Sequence, residues 1–181
     1  GLNQLIKEAK TTLTDVDAIL HATTIATNAV LERKGASTAL ITTKGFRDVL
    51  IIGRQKRYET YDLYINKPKP LVERKSIFEV LERTDYDGSI STPLDYASLD
   101  EAVKKIIELN VASVAISLIH SYANPSHEDV IRDTILRRAP QLSVSVSSEI
   151  SPKLREYERT NTAVANAYVQ PILDRYIARL E

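Results

Sequence analysis

The sequence has no cysteine, which removes disulfides, thiolate nucleophiles and cysteine metal sites together. It has no methionine either, and so no initiator. It opens as GLNQLIKEAK and closes as ILDRYIARLE, both helical in character, so the chain is expected to be a piece of a longer protein, with Gly1 a cloning remnant. Glycine is scarce, at 5 residues, and GxGxxG, Walker A and GxSxG are all missing. Without such motifs no glycine-rich loop cradles a phosphate. No histidine pair has the HExxH spacing of a metal site, so no metal ligand is nominated. Neither sign of charge is in excess, with 24 basic and 24 acidic side chains. That balance, without any basic cluster interleaved with aromatics, points away from nucleic acid and from anionic membrane as partners. No apolar run approaches the roughly 20 residues that span a bilayer. No signal-peptide pattern opens the chain. These absences suit a reducing cytosol, and a cytoplasmic location is expected.

What is present is enough for a core: 43% of the 181 residues are apolar. The length fits one domain, or one domain and the start of another. Residues 2–13 read as an amphipathic helix, and DVDAILH as a short buried strand. A helix capped by Thr23 or Thr24 then runs to about Lys34 and stops at Gly35. STALITT is a second strand, so the opening implies a parallel crossover. Residues 44–76 are basic and tyrosine-rich, with KPKP near the end, and read as an ordered loop. SIFEVLERTDYDGSI reads as a hairpin turning at Asp87-Gly88. Ser98 with Glu101 makes a capping box before a helix whose core face is Ala102, Val103, Ile106 and Ile107. VASVAISLIH is apolar on both faces, as a central parallel strand should be. Asn124-Pro125 opens a helix with Val130, Ile131 and Ile135 inward. QLSVSVSS alternates like a half-buried strand. Ser151-Pro152 starts a last helix that Pro171 should kink or break. Helices alternating with strands predict an α/β fold with a mostly parallel sheet and flanking helices.

In such a sheet, ligands bind beyond the C-terminal strand ends. His21 and His120 lie at such ends, and so do TTKGFRD and SSEI. At the helix start in HATTIATN, free N–H groups and the positive dipole end join Thr23, Thr24, Thr27 and Asn28. That junction either holds a phosphate or carbonyl oxygen, or is merely a capped helix start. His21 is a candidate general acid or base, with a structural histidine as the alternative. His120 either lines the same cleft or fixes the turn into Asn124-Pro125. Arg47, Asp48, Arg54 and Gln55 either clamp a carboxylate or phosphate or form a solvated charged loop with Lys44. Arg155, Glu156 and Arg159 read as an ion-pair and docking run, and His127 as exposed.

Long segments of the chain closely resemble the hydantoinase A/5-oxoprolinase family. They are HATTIATNAVLERKGASTALITTKGFRDVLIIGRQ, YDLYINKPKPLVER, EVLERTDYDGSISTPLD, AISLIHSYANPSHE and SSEISPKLREYERTNTAVANAYVQP. They run in family order from about Asp15 to Pro171. The resemblance implies part of an actin-like (ribonuclease H-like) ATPase fold and ATP-dependent opening of a cyclic amide such as 5-oxoproline or a hydantoin. ATP would activate the amide by phosphorylation, with Mg²⁺ neutralising the phosphates. It implies an N-terminal domain over residues 1–150 that lacks its first strands and phosphate loop, and the start of a hydantoinase A domain over 151–181. The partner implied is a hydantoinase B-type subunit or fused domain, with homo-oligomerisation as a further option. Two departures stand out. The family's DxGGTFTD loop is absent, so ATP and Mg²⁺ are not expected to bind well to this piece alone. Ala22 also stands where the family often has glycine. Relatives include ketone carboxylases, so a carboxylase subunit is the alternative, and a non-catalytic actin-like scaffold a third. The resemblance names Thr23, Thr24 and Asn28 as cleft-facing.

Overall fold

Residues Ser113–Ser117 (β5) and Thr38–Thr43 (β1) are buried at every position. Strands covered by helices on both faces have no polar side to show, which is why their sequences do not alternate. In the computed structural model, which describes residues 2–10, 12, 14, 16, 18, 22–54, 61 and 68–179, these two strands form the centre of one sheet. Ile77–Val80 (β2) and Ser143–Val146 (β6) are its outer strands. The order is β2-β1-β5-β6, and every pairing is parallel, with Leu40 beside both Ile77 and Ala115 and Ser113 beside Ser143.

Successive side chains alternate across the sheet and build two cores. Ala39, Ile41, Val114 and Ile116 meet Leu99, Ala102, Val103 and Ile106 of Tyr96–Glu108 (α4), and Ile131 and Ile135 of Ser126–Arg138 (α5). On the other face Leu40, Ile77 and Ala115 meet Ala163, Val164 and Ala167 of Glu156–Ile177 (α7), with Leu50 of Val49–Ile52 (α3). Ile25–Leu31 (α2) packs against α7 on that side. The result is the expected α/β layering, helices on both faces of a parallel sheet. Each of the isoleucines buried here contributes about 1.5–3 kcal/mol relative to exposure.

Several expected boundaries move. Leu2–Ala9 (α1) is shorter than 2–13. The strand expected in DVDAILH falls largely outside the described residues. IFEV is the parallel edge strand β2, and the hairpin is Arg83–Thr84 (β3) with Ile90–Thr92 (β4), turning at Asp87-Gly88 as expected. Gly88 sits at φ 85°, which a side chain disfavours, and its carbonyl accepts the Asn124 side-chain N–H at 2.8 Å. The cap of α4 is Asp95 rather than Ser98: its carboxylate accepts the Ser98 N–H at 2.8 Å. The Ser98 hydroxyl instead accepts the Leu81 N–H at 3.0 Å, tying the helix to the chain entering it. Ile107 is 41% exposed, one step off the stripe through Ile106. Burial in β6 rises along the strand instead of alternating, with Ser145 and Val146 both buried. SSEI forms the short helix Ser147–Ile150 (α6). The last helix starts at Glu156, after Arg155 at φ 86°, and runs through Pro171 without ending.

Gly35 is not the stop of α2. The helix ends at Leu31, and Arg33, at φ 55°, turns the chain. Gly35 instead lies against Tyr168 of α7, where an added Cβ would sit 1.9 Å from the ring. Gly35→Ala is therefore expected to destabilise the fold by about 1–3 kcal/mol through overpacking. Urea unfolding measures this, and an unchanged midpoint would mean the Tyr168 ring yields freely.

Candidate functional site

The C-terminal ends of β1 and β5 carry some of the groups nominated from sequence, Arg47, Asp48 and His120, and the ends of β1, β5 and β6 also carry a buried polar network that was not nominated. Glu128, in the first turn of α5, is completely buried, and its carboxylate collects three donors. They are the Leu118 N–H at 2.8 Å, the Ser147 hydroxyl at 2.7 Å and the Ser148 N–H at 2.9 Å. Arg159, only 1% exposed, reaches in from α7. It donates to the Leu118 carbonyl at 2.7 Å and to the Ser121 hydroxyl. Its guanidinium stacks 5.6 Å from the Tyr122 ring centroid. Burial pulls the Arg159 guanidinium below its ordinary value, while the charges of Glu128 and Glu156 oppose that and favour the charged form. Ser117 and Thr160 share a hydrogen bond at 2.8 Å, a second tie between β5 and α7.

A neighbouring cluster joins the ends of β1 and β2 to α5. Glu82, 2% exposed, accepts the Thr43 hydroxyl through one oxygen and meets His127 Nδ1 at 2.8 Å with the other. Thr43 in turn accepts the Ile119 N–H at 3.0 Å. His127 is thus buried and paired, correcting the expectation that it is exposed. Its position after Pro125 suggested a solvated first turn, but that turn points into the sheet end. Arg159 does have the docking role expected of its segment, as a buried anchor of α7.

The nominated residues do not form one group. Thr23, Thr24, Thr27 and Asn28 are all exposed at the start of α2. Thr24 occupies the cap position without capping a backbone N–H. Its hydroxyl accepts the Asn28 side-chain N–H at 3.2 Å, and Thr23 accepts the Ile25 N–H at 3.3 Å. Arg47 and Asp48 share the loop after β1, where Asp48 receives Arg74 through Nε at 2.7 Å and Nη2 at 3.2 Å. That hydrogen bond holds the Asp48 carboxyl below the usual aspartate value. Arg47 donates to the Arg74 carbonyl at 2.8 Å. Its Nε is buried with no partner among the described residues, a situation that costs about 1–3 kcal/mol when nothing offsets it. Arg54 pairs with Glu158 of α7. His120, at φ 55°, meets the Thr84 carbonyl at 3.0 Å through Nδ1, while its own carbonyl accepts the Ala123 N–H at 2.9 Å. It therefore fixes the elbow leading to Asn124-Pro125. His21 and Gln55 lie outside the described residues. Among those described, no hydrogen bond joins the α2 threonines to Arg47, Asp48, Arg54 or His120.

The groups fit a nucleotide only in part. The α2 hydroxyls are free to meet an oxygen ligand. For Mg²⁺ the fit fails among the described residues: no cluster of three acidic or histidine side chains can hold a metal, and Asp48 is already taken by Arg74. No helix among them is long and apolar enough to cross a membrane.

Residues 1–139 match the family model described as hydantoinase/oxoprolinase N-terminal region. Caprolactamase subunit alpha of Pseudomonas jessenii is 36% identical over 93% of this chain and 25% of its own length. The acetophenone carboxylase gamma subunit of Aromatoleum aromaticum is 35% identical over 86% of this chain and 23% of its own. 5-Oxoprolinase 1 of Arabidopsis thaliana is 35% identical over 88% of this chain and 14% of its own. The crystal structure of the ATP-dependent caprolactamase from Pseudomonas jessenii superposes with a TM-score of 0.89 at 34% identity, covering 99% of this chain and 27% of that one. The chain thus spans about a quarter or less of the length of these relatives. The layered parallel sheet is part of the actin-like ATPase fold. The chain belongs to the hydantoinase/oxoprolinase family, as its N-terminal region.

Proposed function

We propose that this chain is part of an ATP-dependent hydrolase that opens a cyclic amide. The observation that carries the reading is the likeness, in sequence and over nearly the whole structure, to a caprolactamase described as ATP-dependent. A cyclic amide resists water because its carbonyl is stabilised by nitrogen. Transfer of the γ-phosphoryl group to the amide oxygen, releasing ADP, would remove that stabilisation. Water would then add to the carbon and the C–N bond would break, opening the ring to an amine and an acyl phosphate, which a second water would split into a carboxylate and phosphate. Thr23, Thr24, Thr27 and Asn28 are the groups assigned to nucleotide or substrate oxygen, with His21 as the candidate acid or base. No step is assigned to Mg²⁺, whose ligands the described residues do not supply. A B-type subunit or fused domain is the proposed partner, in keeping with relatives that are themselves called subunits. The acetophenone carboxylase relative supports a second reading, ATP-dependent carboxylation of a ketone.

ATP hydrolysis by the full-length protein with its partner subunit tests both. The assay is run with 5-oxoproline, hydantoins or caprolactam, and separately with ketones plus bicarbonate. Stimulation by a cyclic amide is expected. Stimulation only by a ketone with bicarbonate would move the protein to the carboxylase branch. In the same assay Thr24→Val should lower kcat/KM by roughly one to three kcal/mol of transition-state binding. Unchanged kinetics would leave Thr24 as a helix-start residue only.

A further inference from the structure

Beside β2, between that strand, the loop after β1 and α4, lies a groove of about 550 Å³. That is the size of a small-ligand site. Its lining carries four cations, Lys44, Arg47, Lys75 and Lys105. The acids in the lining are engaged already. Glu79 accepts the Gly45 N–H at 2.7 Å, Asp95 caps α4 through the Ser98 N–H at 2.8 Å, and Glu101 pairs with Lys105 at 2.6 Å. Lys75 pairs with Glu73 at 2.8 Å, and Asp48, next to Arg47, is held by Arg74. Glu79 and Asp95 keep their charges, since backbone N–H groups do not neutralise them, but neither is in an ion pair with the two cations of the short loop. Lys44 is exposed and has no ion pair among the described residues, and Arg47 has only its bond to the Arg74 carbonyl. The Nε of Arg47 is the buried, unpartnered donor described above.

A guanidinium whose one hydrogen bond among the described residues is to a carbonyl, and an ammonium with no ion pair among them, suit an oxygen anion when both line one groove. The planar guanidinium fork matches carboxylate or phosphate oxygens, and the ammonium adds a mobile point charge. We infer that this groove binds a small oxyanion, a phosphate or carboxylate group, held by Arg47 and Lys44. The site is built from the β1 loop, β2 and α4, none of which carries the α2 threonines. It does not rest on the ring-opening reading and would stand if that reading failed.

Calorimetric titration of the full-length protein with inorganic phosphate, and separately with succinate, is the test. Saturable 1:1 binding of one of them is expected, weakening as salt rises. Phosphate alone saturating would identify a phosphate site, and succinate alone a carboxylate site. Arg47→Gln and Lys44→Gln should each weaken binding roughly tenfold or more by removing a charge-assisted bond. Lys44→Gln alters an exposed side chain with no ion pair among the described residues, so it keeps the test valid if Arg47→Gln disturbs the loop. No saturation by either anion, or weak uptake that both variants leave unchanged, would overturn the inference.

Discussion

Replacing Glu128 by alanine is expected to destabilise the fold by about 3–5 kcal/mol, the range seen when one partner of a buried charge pair is removed. The substitution deletes the acceptor of three donors at once. The backbone N–H groups of Leu118 and Ser148 and the Ser147 hydroxyl would each lose the carboxylate. It also deletes the charge that favours ionised Arg159, which is 1% exposed and has no direct route to water. Against a typical total stability of about 5–15 kcal/mol, such a loss is a large fraction. Urea unfolding followed by circular dichroism measures it, and the melting temperature should fall by roughly 10 °C for a domain of this size. Glu128→Gln keeps the shape but offers one acceptor oxygen instead of two, so it should fall in between. A loss below about 1 kcal/mol for the alanine variant would mean that water replaces the carboxylate without difficulty, and that the network is not buried in solution.

Glu82→Ala should cost a comparable amount, roughly 3–6 kcal/mol, since hydrogen bonds to a charged acceptor contribute about 1.5–3 kcal/mol each and two are lost. Thr43 and His127 would be left facing each other across a small void. His127→Leu keeps the volume and removes a single bond, so it should cost less than Glu82→Ala. A double-mutant cycle between positions 82 and 127 isolates the pair, with a coupling of roughly 0.5–3 kcal/mol expected for residues in contact. A coupling indistinguishable from zero would show that the two side chains are buried independently.

The two sites differ in how readily the sequence betrays them. SVAIS and TALITT are legible because a strand covered on both faces must be apolar or small throughout. The stripe through Ala102, Val103 and Ile106 is legible for the parallel reason in helices. Pro171 misleads because its local cost of about 3 kcal/mol is all that a sequence pattern registers. In the structure every buried residue of α7, from Arg159 to Tyr168, lies before the proline. The packed part of the helix therefore loses only the bond that position 171 would have given the Ala167 carbonyl, and the proline falls where the helix runs on beyond the core. The polar networks were hidden for a different reason. Serine, glutamate, histidine and arginine read as surface until tertiary contacts supply their partners, and those partners are distant in sequence. Glu82 and His127 are 45 positions apart, and Ser121 and Arg159 are 38 apart. A hint was available in the pair His127-Glu128, two ionisable residues in a helix whose apolar stripe leaves that first turn facing the sheet. The candidate binding residues at the start of α2 were legible as a motif, but the missing contacts between them and Arg47 or His120 could be seen only in three dimensions.

The sheet order also sets a schedule for the growing chain. β1 is complete by Thr43, yet its inner neighbour is β5, paired from Thr38 to Ser113, 75 positions later. At a synthesis rate of about 5–20 residues per second, β1 leaves the ribosome roughly 4–15 seconds before its partner exists. During that interval TALITT is an apolar, β-branched segment with one edge unmet, the kind of strand that pairs with the wrong neighbour. β2 emerges midway and can occupy only the other edge. The chain therefore completes its central pairing late, and a cell making it would have to keep that first strand from company until the second half arrives.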